Sequence, residues 1–320
     1  MDNDLPERLF TPSVLQYLTT LVDLQPALLT KANAADYPLQ DIELIIGCWG
    51  CPRLDEEILD RMPHLKAVIY TAGSVKEFAT DELFNRGIIV TSGADTNALP
   101  VAEYTLAMIL LSGKRVLEIA REYVRSRKYR PFEVEPVHWG NHGLKVGIIG
   151  ASRIGRRVIE LLAPFDIDVV FYDPFVQHGI LNARPARLEH LLETCDVVTL
   201  HAPEVPETFH MIDKDALSLM RDGATLINTA RGSLVDTTAL TAELDSGRLH
   251  AVIDVTDPDP LPEESPLFDA PNLVLTPHIA GSQGNELHRL GEAAYREVTR
   301  YIAGRPLLSR VKAEILSHTA

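Results

Sequence analysis

Over the first hundred positions, short apolar runs alternate with polar turns. The runs are Ile42-Glu43-Leu44-Ile45-Ile46, Leu65-Lys66-Ala67-Val68-Ile69-Tyr70 and Ile88-Ile89-Val90. Runs of this length, bounded by turn residues, read as buried strands. Helical patterns lie between them, over 54–59 and 75–83. Strands alternating with helices imply a parallel sheet. The runs end in Gly47-Cys48-Trp49-Gly50, Thr71-Ala72-Gly73-Ser74 and Thr91-Ser92-Gly93. Ligands of such sheets gather at these carboxyl ends. The pattern resumes later, with strands predicted over 145–149, 168–172, 196–200, 224–228, 250–255 and 272–276. Helical patterns separate most of them, which predicts a second, doubly wound parallel sheet.

Between the two series, Asn97 reads as a helix cap before Pro100, with Glu103 in the first turn. Residues 101–115 are apolar on nearly every side, so this helix should be buried, and a subunit contact is one way to bury it. Residues 116–130 are charged and amphipathic, and 131–143 read as a connection. After Gly281 one helix is predicted, with Leu287, Leu290, Ala294 and Val298 on one face. It should end near Gly304-Arg305-Pro306, before a short tail.

The first strand of the second series runs into Gly150-Ala151-Ser152-Arg153-Ile154-Gly155. This reads as the tight turn of a dinucleotide-binding unit. Gly150 permits the turn, Gly155 lets the helix lie close to the strand, and the N–H groups at the helix start can hold a pyrophosphate. Ser152 stands where the fingerprint has glycine, which limits backbone approach but adds a hydroxyl. The next strand ends in Asp173, eighteen residues past Gly155. A carboxylate there receives the ribose hydroxyls of NAD and repels the extra phosphate of NADP.

Length and charge narrow the class. At 320 residues, two domains are the prior. A net charge of −15 argues against nucleic acid or an anionic membrane as partner. No apolar run is long enough to span a bilayer and the start of the chain is acidic, so a cytoplasmic location is the expectation. Cys48 and Cys51 have a redox or metal spacing, but no second pair accompanies them. No metal is expected, and the two thiols read as ordinary residues at a strand end.

A nicotinamide enzyme needs a proton donor and acceptor and a grip on the substrate's charge. Histidine suits the first and arginine the second. With 11 histidines, position decides. His278 and Arg231 both follow predicted strands of the second series, at the carboxyl edge. Asp254, Asp257 and Asp259 cluster after another. A carboxylate beside the histidine would hold its tautomer and favour its charged form.

These positions together resemble the NAD-dependent D-2-hydroxyacid dehydrogenases. The resemblance lies in Asn97 to Glu103, Val146 to Gly155, Tyr172-Asp173-Pro174, Leu200-His201-Ala202-Pro203 with Pro206-Glu207-Thr208, Ile227 to Gly232, Asp254 to Leu261 and Pro277 to Gly281. It implies an α/β chain of two doubly wound parallel-sheet domains, a Rossmann-type NAD domain inserted into a flavodoxin-like substrate domain. Residues 1–98, completed by 288–320, would form the substrate domain, and 99–287 the NAD domain, with a cleft between. Arg231 would bind the substrate carboxylate and carbonyl oxygen, and His278 would be the acid/base. Asp259 stands where the family usually has glutamate. Gly150, Ser152, Arg153, Ile154 and Gly155 would hold the pyrophosphate and Asp173 the ribose. His201, Pro203 and Thr208 would line the cofactor. Asn228, Thr229, Ala230, Arg231, Asp254 and His278 would border the nicotinamide, and Gly281 would also contact the cofactor. The backbone of Ala72, Gly73, Ser74 and Val75 would cradle the substrate carboxylate, and Trp49 would meet its far end. A homodimer is implied.

The activity implied is hydride transfer between NAD(H) and C2 of a D-2-hydroxy or 2-oxo acid. Near Trp49 the only cation is Arg53, and none precedes Lys76 after the second strand, so a small or apolar substrate is expected rather than a phosphorylated one. The alternatives are a non-catalytic NAD(H)-sensing protein of the same fold and a relative acting on an inorganic anion such as phosphite.

Overall fold

The computed structural model describes residues 1–128 and 140–314. Most of the predicted 131–143 connection and the end of the tail therefore lie outside the described residues. The chain divides into two compact units, Met1–Ala98 with Ser282–Ala320, and Leu99–Gly281. The return to the first unit thus falls at 282, where the resemblance implied 288.

The first unit opens with two helices that the apolar pattern did not reveal, α1 (Leu5–Leu9) and α2 (Pro12–Leu21). Thr11 caps α2, accepting the Val14 N–H at 3.4 Å. Strands β1 (Leu44–Gly47), β2 (Ala67–Tyr70) and β3 (Ile89–Thr91) pair in parallel. Short helices α3 (Glu56–Asp60) and α4 (Asp81–Asn85) lie between them. The helix predicted over 75–83 forms only at its end. Its earlier part is pinned to Leu54, whose N–H donates to the Phe78 carbonyl and whose carbonyl takes the Thr80 hydroxyl, at 2.9 and 2.6 Å. Thr80 then caps α4.

The first unit's core gathers Leu9, Leu18, Leu54, Ile69, Phe78 and Leu83 with Leu287, Leu290, Ala294 and Val298. Those last four are the predicted face of the late helix, here α11 (Leu287–Ile302). The tail is more than a loose end. Arg310–Val311 pair antiparallel with β3 as the last strand, β11. Glu297, buried in α11, accepts the Leu308 N–H at 3.0 Å and so fixes the tail's approach.

Helix α5 (Ala94–Gly113) crosses the boundary between the units. It begins three residues before Asn97, so Asn97 is not its cap. The Asn97 N–H bonds the Gly93 carbonyl at 2.9 Å, and its side chain accepts the Ser282 N–H at 3.0 Å. Nor is the helix buried on every side. Ala102, Thr105 and Ile109 are buried, whereas Tyr104, Leu106, Met108 and Leu110 are half-buried and Ala107 is exposed. The following helix, α6 (Val116–Ser126), buries none of its residues.

The second unit's sheet is built from β4 (Leu144–Ile149), β5 (Ile167–Tyr172), β6 (Arg184–Pro185), β7 (Val197–Leu200), β8 (Thr225–Asn228), β9 (His250–Ile253) and β10 (Leu273–Leu275). Six correspond to the predicted runs, and the two-residue β6 was too short to leave a pattern. All pair in parallel, in the order β10-β9-β8-β7-β4-β5-β6. The order therefore reverses between β4 and β7, and the crevice beyond their carboxyl ends is the expected ligand position. Helices α7 (Arg153–Leu162), α8 (Leu188–Thr194), α9 (Lys214–Leu219) and α10 (Thr237–Asp245) complete the unit. Val158, Ile159 and Leu162 cluster with Ile148 in one core, and Leu191, Leu217 and Leu240 with Leu200 in another. Among the described residues no helix is long and apolar enough to cross a membrane.

Candidate active site

The glycine turn after β4 is built as its sequence requires. Gly150 has φ +96°, and a Cβ there would meet the Ala202 nitrogen at 2.6 Å. At Gly155 a Cβ would lie 1.9 Å from the Gly150 carbonyl oxygen, so glycine alone permits this contact of α7 with the turn. Ser152 precedes α7 without capping it. Its hydroxyl donates instead to the His201 carbonyl at 2.8 Å, tying the glycine turn to the loop after β7. The start of α7, at Arg153 and Ile154, presents a helix N-terminus at the switch point, a site suited to a pyrophosphate.

Asp173 ends β5. Its Oδ2 accepts the Ala151 N–H and its Oδ1 the Phe175 N–H, both at 2.8 Å. Each oxygen keeps lone-pair capacity for a ribose hydroxyl. The glycine turn and the acid are thus joined directly.

His201, after β7, is buried at 3% exposure. Burial pushes its pKa down from 6.5 to about 3, so it is neutral at ordinary pH. Its Nε2 pairs with Thr199 at 3.1 Å, while its Nδ1 is buried without a partner. A histidine neutral through this range and buried is unsuited to acid/base work. An orphaned polar atom in the loop against the glycine turn is what a ligand contact there would satisfy. Pro203 and Thr208 follow, and the Thr208 hydroxyl donates to the Pro203 carbonyl at 2.6 Å, closing the turn. These features fit NAD.

The turn after β8 holds Arg231. Asn228 shapes it, its Nδ2 donating to the Arg231 carbonyl at 2.8 Å and its Oδ1 accepting the Ala230 N–H at 3.0 Å. Thr229 and Ala230 are buried. Gly232 is obligatory, because a Cβ would fall 2.0 Å from the Thr256 carbonyl. The guanidinium is half-exposed, with Nη1 on the Ala230 carbonyl at 2.6 Å and Nε 3.8 Å from Glu204. Ser233 holds Glu204 in turn, at 2.6 Å. Glu204 lay unremarked within the His-Ala-Pro-Glu stretch, since spacing along a chain does not reveal a partner on the neighbouring strand's loop.

His278 follows β10, two strands from Arg231 along the same edge. Its Nδ1 lies 3.4 Å from Asp259 Oδ2, and both side chains are over half exposed. Asp254, also read as bordering the nicotinamide, is buried at 2% and engaged with the histidine's own loop. Its carboxylate accepts the Thr276 hydroxyl at 2.6 Å, the Ile279 N–H at 2.8 Å and the Ala280 N–H at 2.9 Å. Gly281 continues that loop to the unit boundary. The Asp257 side chain is exposed, and its carbonyl takes the Thr237 hydroxyl.

In the first unit, Trp49 is 39% exposed at the end of β1, beside buried Cys48 and Cys51. Burial pushes the Cys51 thiol up to about 11 and raises Cys48, so both stay protonated and unreactive. After β2, the Ala72 carbonyl accepts the Gly93 N–H at 2.8 Å. The N–H groups of Gly73, Ser74 and Val75 have no partner among the described hydrogen bonds. Three successive unpaired donors suit a small anion.

Residues 106–280 match the family model described as D-isomer specific 2-hydroxyacid dehydrogenase, NAD binding domain. The chain is 32% identical over 277 residues to a glyoxylate reductase of Thermofilum pendens, covering 84% of this chain and 81% of that one. It is 32% identical over 255 residues to a D-3-phosphoglycerate dehydrogenase of Mycobacterium tuberculosis, across 78% of this chain but 48% of that longer protein. A crystal structure of the Aquifex aeolicus D-lactate dehydrogenase with NAD and lactic acid superposes with a TM-score of 0.71 at 28% identity, covering 92% of each chain. The glycine turn, its acid and the family match agree: the chain belongs to the D-isomer specific 2-hydroxyacid dehydrogenases, as an NAD-dependent oxidoreductase.

Proposed function

We propose that the protein interconverts a small 2-oxo acid and the D-2-hydroxy acid, with Arg231, His278 and Asp259 as its working groups. The observation that carries this reading is the His278–Asp259 pair at 3.4 Å, on the same sheet edge as Arg231. NAD(H), when bound, supplies or accepts the hydride at C2. In the reductive direction His278 gives a proton to the carbonyl oxygen, and in the oxidative direction it takes the hydroxyl proton. Arg231 grips the substrate through its carboxylate and carbonyl oxygen. Asp259 orients the ring through Nδ1, leaving Nε2 for the substrate. The unit containing residues 1–98 acts as the substrate domain, and its unpaired N–H groups at Gly73, Ser74 and Val75 are suited to a small anion.

The substrate's far end is uncharged and small or apolar. Exposed Trp49 at the end of β1 supports this, since a phosphate needs cations to offset its desolvation. The half-buried apolar residues of α5 and the bare face of α6 support a homodimer. The test is NADH oxidation with glyoxylate, hydroxypyruvate, a branched 2-oxo acid and 3-phosphohydroxypyruvate, with Arg231→Ala as control. Glyoxylate or another uncharged-tail acid should give the highest kcat/KM. A preference for the phosphorylated acid would overturn the substrate reading, and undiminished turnover by Arg231→Ala would overturn the site.

A further inference from the structure

Two neighbouring residues of α5 reach two different loops of the sheet's carboxyl edge. The Tyr104 hydroxyl lies 2.9 Å from Thr276 Oγ1. The single proton of Thr276 goes to Asp254 Oδ1 at 2.6 Å, so Tyr104 must be the donor to Thr276. Asp254 in turn fixes the backbone on either side of the catalytic candidate. Its main-chain carbonyl takes the His278 N–H at 2.9 Å, and its carboxylate takes the N–H groups of Ile279 and Ala280. His278 itself sits at φ +55°, a left-handed conformation that a non-glycine residue keeps only where its surroundings impose it.

Thr105 makes the parallel connection to the other loop. Its own proton goes to the Val101 carbonyl at 2.8 Å, so Thr229 donates to Thr105 Oγ1 at 3.2 Å. Thr105 is fully buried and Thr229 nearly so. Thr229 belongs to the Asn228–Arg231 turn, which the Asn228 side chain braces from within and whose Asn228 carbonyl takes the Asp254 N–H at 3.0 Å. Neither Tyr104 nor Thr105 falls within the family-model match, which starts at residue 106.

We propose that α5 is a positioning element for both working side chains, Tyr104 acting on His278 through Thr276 and Asp254, and Thr105 acting on Arg231 through Thr229. This rests on the roles of His278 and Arg231 given above. Because the two side-chain connections share no residue, they should divide the kinetic parameters. Proton transfer by His278 enters kcat, whereas the grip of Arg231 on the carboxylate enters KM.

The test is steady-state reduction of glyoxylate with NADH, together with NADH binding and thermal melting of each variant. Tyr104→Phe removes one donor and keeps the ring. It should lower kcat about three- to tenfold, the worth of one hydrogen bond, with KM for glyoxylate little changed. Its NADH affinity and Tm should match the wild type. Thr276→Ser should retain kcat, and Thr276→Val should lose at least as much as Tyr104→Phe. Thr105→Val should raise KM about three- to tenfold with kcat nearly intact, and Thr105→Ser should restore it. Wild-type kinetics for Tyr104→Phe and Thr105→Val would overturn the proposal. So would kcat and KM moving together in step with a lowered Tm, the mark of a merely structural role. Full turnover by His278→Ala or an unchanged KM for Arg231→Ala would instead condemn the roles on which it rests.

Discussion

The His278 N–H donates to the main-chain carbonyl of Asp254 at 2.9 Å, so the residue that should handle the proton is anchored by one that cannot. Asp254 is buried and spends both carboxylate oxygens on the loop that carries His278. Asp254→Asn replaces one of those oxygens by an NH2 group facing N–H donors. The variant should lose about 1.5–3 kcal/mol of stability, the range for hydrogen bonds to a buried charge, and kcat should fall with it. Thermal melting and glyoxylate turnover check this. An unchanged Tm would mean that the loop is held by other contacts.

His278→Ala should lower kcat by about 10²–10⁴, as expected for a lost acid/base, while NADH binding stays near wild type. Asp259→Asn should cost far less, under about tenfold, because a pair 3.4 Å apart with both partners over half exposed is strongly screened. A loss in Asp259→Asn equal to that in His278→Ala would show that the pair tightens when substrate binds.

How much of this was legible in the sequence follows from what a chain pattern records. The strands of the second unit, the glycine turn and the positions of Arg231 and His278 announce themselves through apolar runs ending in turn residues. The partners of those side chains do not. Glu204 approaches Arg231, and Tyr104 approaches Thr276, across sequence separations that only the fold closes. The same limit explains Asn97. A cap-like residue before proline is a local signal, but α5 starts at Ala94 and the Asn97 side chain answers to Ser282 instead. Asp254 and Asp259 are five residues apart and chemically identical, yet one is buried as a clamp and the other exposed beside His278.

Cofactor choice should turn on Asp173. Its two oxygens also hold the Ala151 and Phe175 N–H groups, so Asp173→Ala should loosen NAD binding as well as admit NADP. The ratio of kcat/KM for NADH to that for NADPH is therefore the proper readout, and it should be high in the wild type and fall sharply in the variant. Equal use of both cofactors by the wild type would remove Asp173 from the ribose site.

His201 gives a dependence of stability on pH. Its pKa is about 3 in the folded chain against an ordinary 6.5, through burial. Between those values the unfolded chain binds the proton and the folded chain does not. Stability from this group is therefore complete above 6.5 and lost as pH falls toward 3, by an amount of a few kcal/mol. In His201→Gln the melting temperature should fall less steeply between about pH 6.5 and pH 4 than in the wild type. Parallel curves would mean that His201 is solvated in solution.

Glu204 offers the sharpest test of how Arg231 meets its substrate. Two effects oppose each other. The carboxylate lies 3.8 Å from Arg231 Nε and can steady the guanidinium, but it also competes with the substrate carboxylate for the same charge. Ser233 fixes Glu204 at 2.6 Å, so the glutamate keeps its place without help from the arginine. Arg231 is likewise tethered through the Ala230 carbonyl at 2.6 Å, so it does not depend on Glu204 for its direction. With both groups held independently, competition should win. The pair is about a third to a half exposed, which limits its worth to at most about 1 kcal/mol. Glu204→Gln keeps the shape and a hydrogen-bond acceptor for Ser233 but removes the charge. It should lower KM for glyoxylate by about two- to fivefold with kcat unchanged. The gain should be larger for 3-phosphohydroxypyruvate, whose added charge Glu204 repels, and smaller in high salt, where the repulsion is screened. A KM that rises in Glu204→Gln would show that the glutamate's steadying effect outweighs its competition.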